Sequence, residues 1–201
     1  MINLQEFEKL VEQIREFNQL AFTDAERNTP EYLDHCKAMV TEESKTERDE
    51  ALTPIQELDS LADTIVVTVQ ASDAPNMDDS YLFNCYMLIG EAVMLASRKG
   101  YDLYGATCAV NINNLSKFPL LSEVREVYGD DWESAACNWV EDQGRYTGVK
   151  AQVVKDSHGD TRVVFKSDTG KVVKWFGYKD VDLSSYITDN TTTNNEEVNI
   201  N

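Results

Sequence analysis

The sequence predicts a mainly α protein, a helical bundle carrying a small antiparallel β appendage toward its C-terminus. Apolar residues recur at three- and four-residue spacing as far as about residue 117, and turn-forming clusters cut that region into helix-length pieces. Valine-rich runs of strand length begin only after about residue 148. With 201 residues, 42% of them hydrophobic, the chain is long enough to bury a substantial core.

The first helix is expected over about residues 3–20, where Leu4, Phe7, Val11, Ile14 and Phe17 form one stripe. "NTP" at 28–30 breaks the pattern. A second helix, about 31–50, carries Leu33, Cys36 and Val40 on one face. The third opens at Thr53, because Thr-Pro-Ile-Gln supplies a capping hydroxyl, a proline at the first helical position and a glutamine for the capping box. It continues through Leu58, Leu61, Ile65 and Val69 to about residue 71. "SDAPNMDDS" is a loop, a fourth helix covers about 80–98 before Gly100, and a fifth runs from after Asp102 to about Lys117, with Pro119 closing it.

Beyond residue 120, "SEVREVYG" and "DWESAACNWVEDQ" remain helical in pattern. "VKAQVVKD", "TRVVFKS" and "KVVKWFGY", separated by "SHGD" and "DTG", predict an antiparallel β-meander. The expected organisation is a helical core over 1–120, a helix plus β-meander appendage over 121–188, and a disordered tail over 189–201, where apolar content is too low to form a core. No internal repeat is evident.

Charge narrows the function. There are 36 acidic against 18 basic residues, a formal charge of −18, so the overall field repels nucleic acid and anionic membranes. A phosphate ligand would need a cation to mediate its approach. The four cysteines are scattered without a CxxC, and only two histidines accompany them, which predicts free thiols in a reducing compartment rather than a zinc site. "MINLQEFEKL" is charged where a signal peptide is apolar, and "YLFNCYMLIGEAVMLA" is interrupted by Asn84 and Glu91 and too short to span a bilayer. A soluble, cytoplasmic protein without membrane or direct nucleic-acid partners is expected.

The stretch "TEESKTERDEALTPIQELDSLAD", residues 41–63, holds eight carboxylates next to stripes that read as buried. Below Val40 the second helix continues its inward face with Glu43 and Glu47. The third helix mirrors it with Asp59 and Asp63, followed by Val66. The connection at 51–53 is short, so the two helices form an antiparallel hairpin about Thr53. Equidistant residues then lie at similar heights: Glu47 with Asp59, Glu43 with Asp63, and Val40 with Val66 as an apolar layer. Facing carboxylates need either protons or a cation, and a hard divalent ion such as Mg²⁺ suits an all-carboxylate set. A plain solvated acidic face, with Lys45 and Arg48 pairing their neighbours, is the competing reading.

These residues resemble the MazG-like all-α nucleoside triphosphate pyrophosphohydrolases, particularly phage-encoded members. That family carries EExxE on one helix and ExxD on the next, holding Mg²⁺. "TEESKTE" supplies Glu42 and Glu43, and "ELDSLADTIVV" places Asp63 at the terminal aspartate. In strict register the remaining acids fall on Thr46 and Ser60; Glu47 and Asp59, each one residue nearer the turn, are taken as shifted replacements. The resemblance continues in "VNINNLSKF", whose Asn114 and Lys117 match the family's Asn-x-x-Lys, and in "GKVVKWFGYKDVDL", with Lys174 and Tyr178 at its recurrent Lys and Tyr. A polar helix end and a surface lysine explain the first pair equally well, and strand and turn chemistry explains the second.

What the resemblance implies is hydrolysis of (deoxy)nucleoside triphosphates to monophosphate and pyrophosphate, with Mg²⁺ or Mn²⁺ on Glu43, Glu47, Asp59 and Asp63. Glu42, rotated by about 100° on its helix, is then the candidate general base, or otherwise a surface glutamate. Asn114, Lys117, Lys174 and Tyr178 become substrate-binding candidates. The resemblance also implies a homodimer or higher assembly in the host cytoplasm. A different class of function is open to so acidic a chain: a non-catalytic binding protein, such as a DNA mimic, which would spread its acids outward rather than converge them.

Overall fold

In a computed structural model that describes residues 4–187, the protein is mainly α with a small antiparallel sheet near the C-terminus. The expected tail over 189–201 lies outside the described residues. Helix α1 spans Leu4–Ala21, and a short turn of helix, α2 (Asp24–Arg27), follows it. Thr23 caps α2 with a reciprocal Thr–Glu26 capping box, a signal overlooked in the sequence. The second expected helix is α3 (Pro30–Thr41), a π-helical segment over Glu42–Glu47 and α4 (Arg48–Glu50), without a break between them. Then come α5 (Pro54–Ser72), α6 (Asp79–Lys99), α7 (Leu103–Leu115), α8 (Leu121–Tyr128) and α9 (Trp132–Asp142).

Local chemistry sets these boundaries. The Thr53 hydroxyl accepts from the Gln56 amide while the Gln56 side chain reaches back to Thr53, with Pro54 at the first position of α5. Loss of such a cap costs about 1 kcal/mol. Gly100 ends α6 in the left-handed conformation (φ 76°), which a glycine adopts without Cβ strain.

The described residues divide into two compact units, one drawn from 4–33 and Asn111–Val181, the other from Asp34–Val110 and 182–187. In the first, Val124 of α8, Trp132, Ala136 and Val140 of α9, and Val163, Phe165 and Val173 of the β region share one core. Phe17 of α1 packs on Phe118, ring centroids 5.0 Å apart. Strands β1 (Lys150–Lys155) and β2 (Thr161–Lys166) pair antiparallel, with Ala151 opposite Phe165 and Val153 opposite Val163.

The expected third strand is a correction. Of "KVVKWFGY" only Val172 bridges to β2, at Lys166, and Val173 donates to the Phe165 carbonyl. The chain then leaves the sheet because its aromatics have other partners: the Trp175 indole donates to the Ser116 carbonyl, and Phe176 meets Trp139 edge to face. Hairpin chemistry read correctly in "SHGD" is reinforced by Asp156, which accepts from the His158 and Asp160 amides and from Arg162. The same arginine donates to the Phe118 carbonyl, tying the hairpin to the helical segment.

The second unit is organised around α5, which packs against the π-helical segment and α6. Every residue of α5 from Ser60 to Ala71 is buried except Asp63, which is half-buried. A helix buried nearly all round is a core element, so a carboxylate in its middle stands out. Among the described residues, no helix is long and apolar enough to cross a membrane.

Candidate metal centre

The acidic hairpin forms within the second unit, and its first arm is wound differently from expectation. Glu42–Glu47 closes i+5→i hydrogen bonds, giving a wider turn than the 3.6 residues of an α-helix. Residues four apart therefore stay near one face, and residues three apart fall away from it. Glu43 is buried at 7% exposure, Ser44 is buried, Glu42 is half-buried, and Lys45, Thr46 and Glu47 are exposed.

One carboxylate oxygen from each of Glu43, Glu47 and Asp63 lies within 4.8 Å of the other two. The other arm, α5, supplies Asp63 from a helix locked by Leu58, Leu61, Ile65 and Val66 in the core. Ser60, at the strict motif position, is buried, and its hydroxyl donates to the Glu43 backbone carbonyl at 3.1 Å. That bond fastens α5 to the π turn beneath the acids. Val40 and Val66 are both buried in this unit. Asp59 is half-buried one turn before Asp63 and lies outside the mutually close set of oxygens.

Electrostatics make the cluster costly without a cation. The Glu43 Oε2 is buried without a hydrogen-bond partner. Burial pushes the Glu43 carboxyl up to about 9 from its ordinary 4.5, with the Asp63 charge next in importance, then Glu47 as hydrogen-bond partner and as charge, then Glu42. In the metal-free protein at neutral pH, Glu43 therefore keeps its proton. The donor set fits a hard divalent ion: three carboxylates, no sulfur or nitrogen, and one oxygen left without a partner. Oxygens on one Mg²⁺ at about 2.1 Å stand at most about 4.2 Å apart, so the set is within about an ångström of closing on such an ion. Three protein ligands leave positions for water and substrate oxygens.

An ion pair at the rim went unread in the sequence. Arg48, next to Glu47, faces Glu91 of α6 at 3.5 Å. The interruption of an apolar run by Glu91 was the available signal, and this pair accounts for it.

The four residues matched at the C-terminal side of the resemblance all belong to the first unit, where they meet one another. The Lys117 Nζ donates to the Asn114 Oδ1 at 2.7 Å and lies 5.9 Å from the centres of both the Phe17 and Tyr178 rings. The Lys174 ammonium sits 4.3 Å over the Tyr178 ring and pairs with Asp180 at 2.6 Å. Asn113, one residue before the motif asparagine, donates to the Tyr178 hydroxyl at 2.6 Å. The result is a polar and aromatic cluster with two cations.

No family model, no curated protein and no solved structure matches the chain. The resemblance drawn from the helix-pair motif thus rests on these residues alone.

Proposed function

We propose that the protein is a divalent-metal-dependent nucleotide pyrophosphohydrolase that cleaves (deoxy)nucleoside triphosphates to monophosphate and pyrophosphate, as a MazG-like enzyme would. The observation that carries the reading is Glu43: a buried carboxylate with an unpartnered oxygen, set among the converging oxygens of Glu47 and Asp63. A solvated acidic face, or a mimic presenting its charge outward, gives no reason to bury that group with an oxygen left unpartnered.

In this reading Glu43, Glu47 and Asp63 hold the ion, Mg²⁺ or Mn²⁺, with Asp59 adjacent. Bound there, the ion supplies neutralisation of the triphosphate charge and a lowered pKa for a coordinated water. Glu42, half-buried beside Glu43, serves as the base that orients the attacking water. Ser60 fixes the backbone beneath the ligands. Within the other unit, and considered by itself, the cluster of Asn114, Lys117, Lys174 and Tyr178 offers donors and an aromatic face of the kind that holds phosphate or nucleotide groups. The net charge of −18 makes the cation a requirement for substrate approach as well as for chemistry.

The test is pyrophosphate release from a panel of canonical and modified nucleoside triphosphates, with Mg²⁺, with Mn²⁺ and with chelator. Metal-dependent release of pyrophosphate together with the monophosphate supports the reading. Release of orthophosphate, or no turnover on any nucleotide, removes it.

A further inference from the structure

The formal charge of −18 is an average over a segregated chain. Residues 143–181, which follow α9 and complete the first unit, hold eight Lys and Arg against four Asp and Glu. The rest of the sequence holds ten against 32. At physiological ionic strength charge is screened over about 8 Å, so a partner that touches this stretch meets its local positive field rather than the average. The repulsion of nucleic acid expected from the whole chain therefore does not extend to it.

Within the stretch, cations alternate with aromatic rings that reach the surface. The turn Trp175–Tyr178 is closed by the Tyr178 amide on the Trp175 carbonyl, and it carries Phe176 outward at 56% exposure. The Phe176 ring meets the half-buried Trp139 edge to face, centroids 5.7 Å apart, so its position is fixed while much of it stays bare. Gly177 is required at the turn, because a Cβ there would collide with the Trp175 ring. Lys174 and Lys179, both exposed, flank the turn. Arg145, also exposed, lies 5.5 Å from the centre of the Tyr146 ring, and Tyr146 packs on the same core cluster as Trp139 and Trp175. The two nearby acids are already engaged: Asp168 accepts from the Thr147 hydroxyl and Asp180 pairs with Lys174. Among the described residues, Arg145 and Lys179 enter no ion pair.

We propose that this face binds single-stranded nucleic acid, with a base stacked on Phe176 and neighbouring phosphates met by Arg145, Lys174 and Lys179. Every base has a flat π face, so an exposed ring beside cations serves as a stacking platform without reading sequence. Lysine and arginine neutralise the backbone phosphates, which supplies most of the affinity of such binding. A duplex keeps its base faces in its own stack and offers phosphates alone, so it gains nothing from Phe176. An acidic polypeptide would satisfy the cations equally but has no base to lay on the ring, and the bare ring is what favours nucleic acid as the occupant. The proposal uses neither the acidic hairpin nor a metal. It shares Lys174 with the cluster considered above for nucleotide, so its test rests on Phe176, Arg145 and Lys179.

The experiment is fluorescence anisotropy of a labelled oligothymidylate of about 20 nucleotides, titrated with the full chain in chelator so that the acidic site plays no part. Binding is expected at about 1–100 µM protein, and log K should fall with log salt at a slope of about −2, the value for three phosphates on a single strand. A duplex of the same length should bind at least about tenfold more weakly. Phe176→Ala should weaken binding about tenfold, whereas Phe176→Tyr keeps the stacking ring and should bind as wild type does. Arg145→Glu with Lys179→Glu should weaken binding and flatten the slope to about −0.7, one phosphate contact remaining. Circular dichroism should be unchanged throughout, since all three positions are exposed. No anisotropy change up to about 100 µM overturns the proposal, and so does a Phe176→Ala chain that binds like wild type. Displacement of the strand by polyglutamate at equal charge concentration assigns the face to acidic polypeptides and overturns it as well. The assay reads no turnover, so its failure and a failure of pyrophosphate release are separate results.

Discussion

The Ser60 hydroxyl donates to the Glu43 backbone carbonyl at 3.1 Å, joining α5 to the π turn at the residue whose carboxylate is the most buried of the three acids. Ser60→Ala leaves that carbonyl without its side-chain donor and should cost about 1 kcal/mol of stability. It should also weaken metal binding modestly, through looser placement of Glu43. Thr46→Ala, at an exposed position, should change neither. Urea denaturation and metal titration separate these outcomes; equal, negligible effects at both sites would mean the Ser60 bond does not hold the site.

The acids themselves should rank by their place in the cluster. Glu47→Gln and Asp63→Asn each remove the charge from one of three converging groups, so each should weaken Mg²⁺ binding and turnover at least about tenfold, the scale on which even supporting residues of metal sites act. Asp59→Asn should have a smaller effect because its carboxylate stands outside the close set. Mg²⁺ or Mn²⁺ at millimolar concentration should raise the melting temperature of wild type by mass action. Calorimetry on the four proteins tests the order, and an Asp59 effect as large as that of Asp63 would place the ion one turn nearer the hairpin tip.

The raised pKa of Glu43 gives a pH dependence with a definite sign. Below about pH 4.5 both folded and unfolded chains hold the proton, and the residue contributes no difference. As pH rises from there toward about 9 the unfolded chain releases the proton while the fold retains it, so metal-free stability falls across that window. Glu43→Gln should flatten this decline and make the chelated protein more stable than wild type at pH 8. Metal binding requires the carboxylate, so affinity for Mg²⁺ should climb over the same range. Denaturation in chelator at a series of pH values would count against the buried proton if the two slopes coincide.

Much of the helical fold was legible because periodicity, the Thr53 capping box and Gly100 are local signals. The convergence of Glu43, Glu47 and Asp63 was legible for the same reason, through the short turn at Thr53. The π turn was not, since "EESKTE" contains no apolar residue whose spacing could separate i→i+4 from i→i+5 winding. In the structure Glu47 converges with Glu43 and Asp63, and Asp59 stands outside that close set. The third strand was overestimated because Val172 and Val173 carry strand propensity, while the fate of Trp175 and Phe176 depends on partners distant in sequence.

Lys117 distinguishes a substrate role from a structural one. Its ammonium is held by Asn114 and lies between the Phe17 and Tyr178 rings, so either role is consistent with its surroundings. Lys117→Met keeps a flexible apolar chain between the rings and removes only the charge. If the cluster receives phosphate, losing one charge-assisted contact worth about 1.5–3 kcal/mol should raise KM for the nucleotide by roughly ten- to a hundredfold. The melting temperature should then change little, because aromatic packing is preserved. If Lys117 instead serves the fold, the melting temperature should drop and KM should not move. Tyr178→Phe is the companion variant: it abolishes the bond from Asn113 but keeps the ring under Lys174 and Lys117. A KM effect for Lys117→Met with none for Tyr178→Phe assigns the binding to the cation and leaves the tyrosine as its platform.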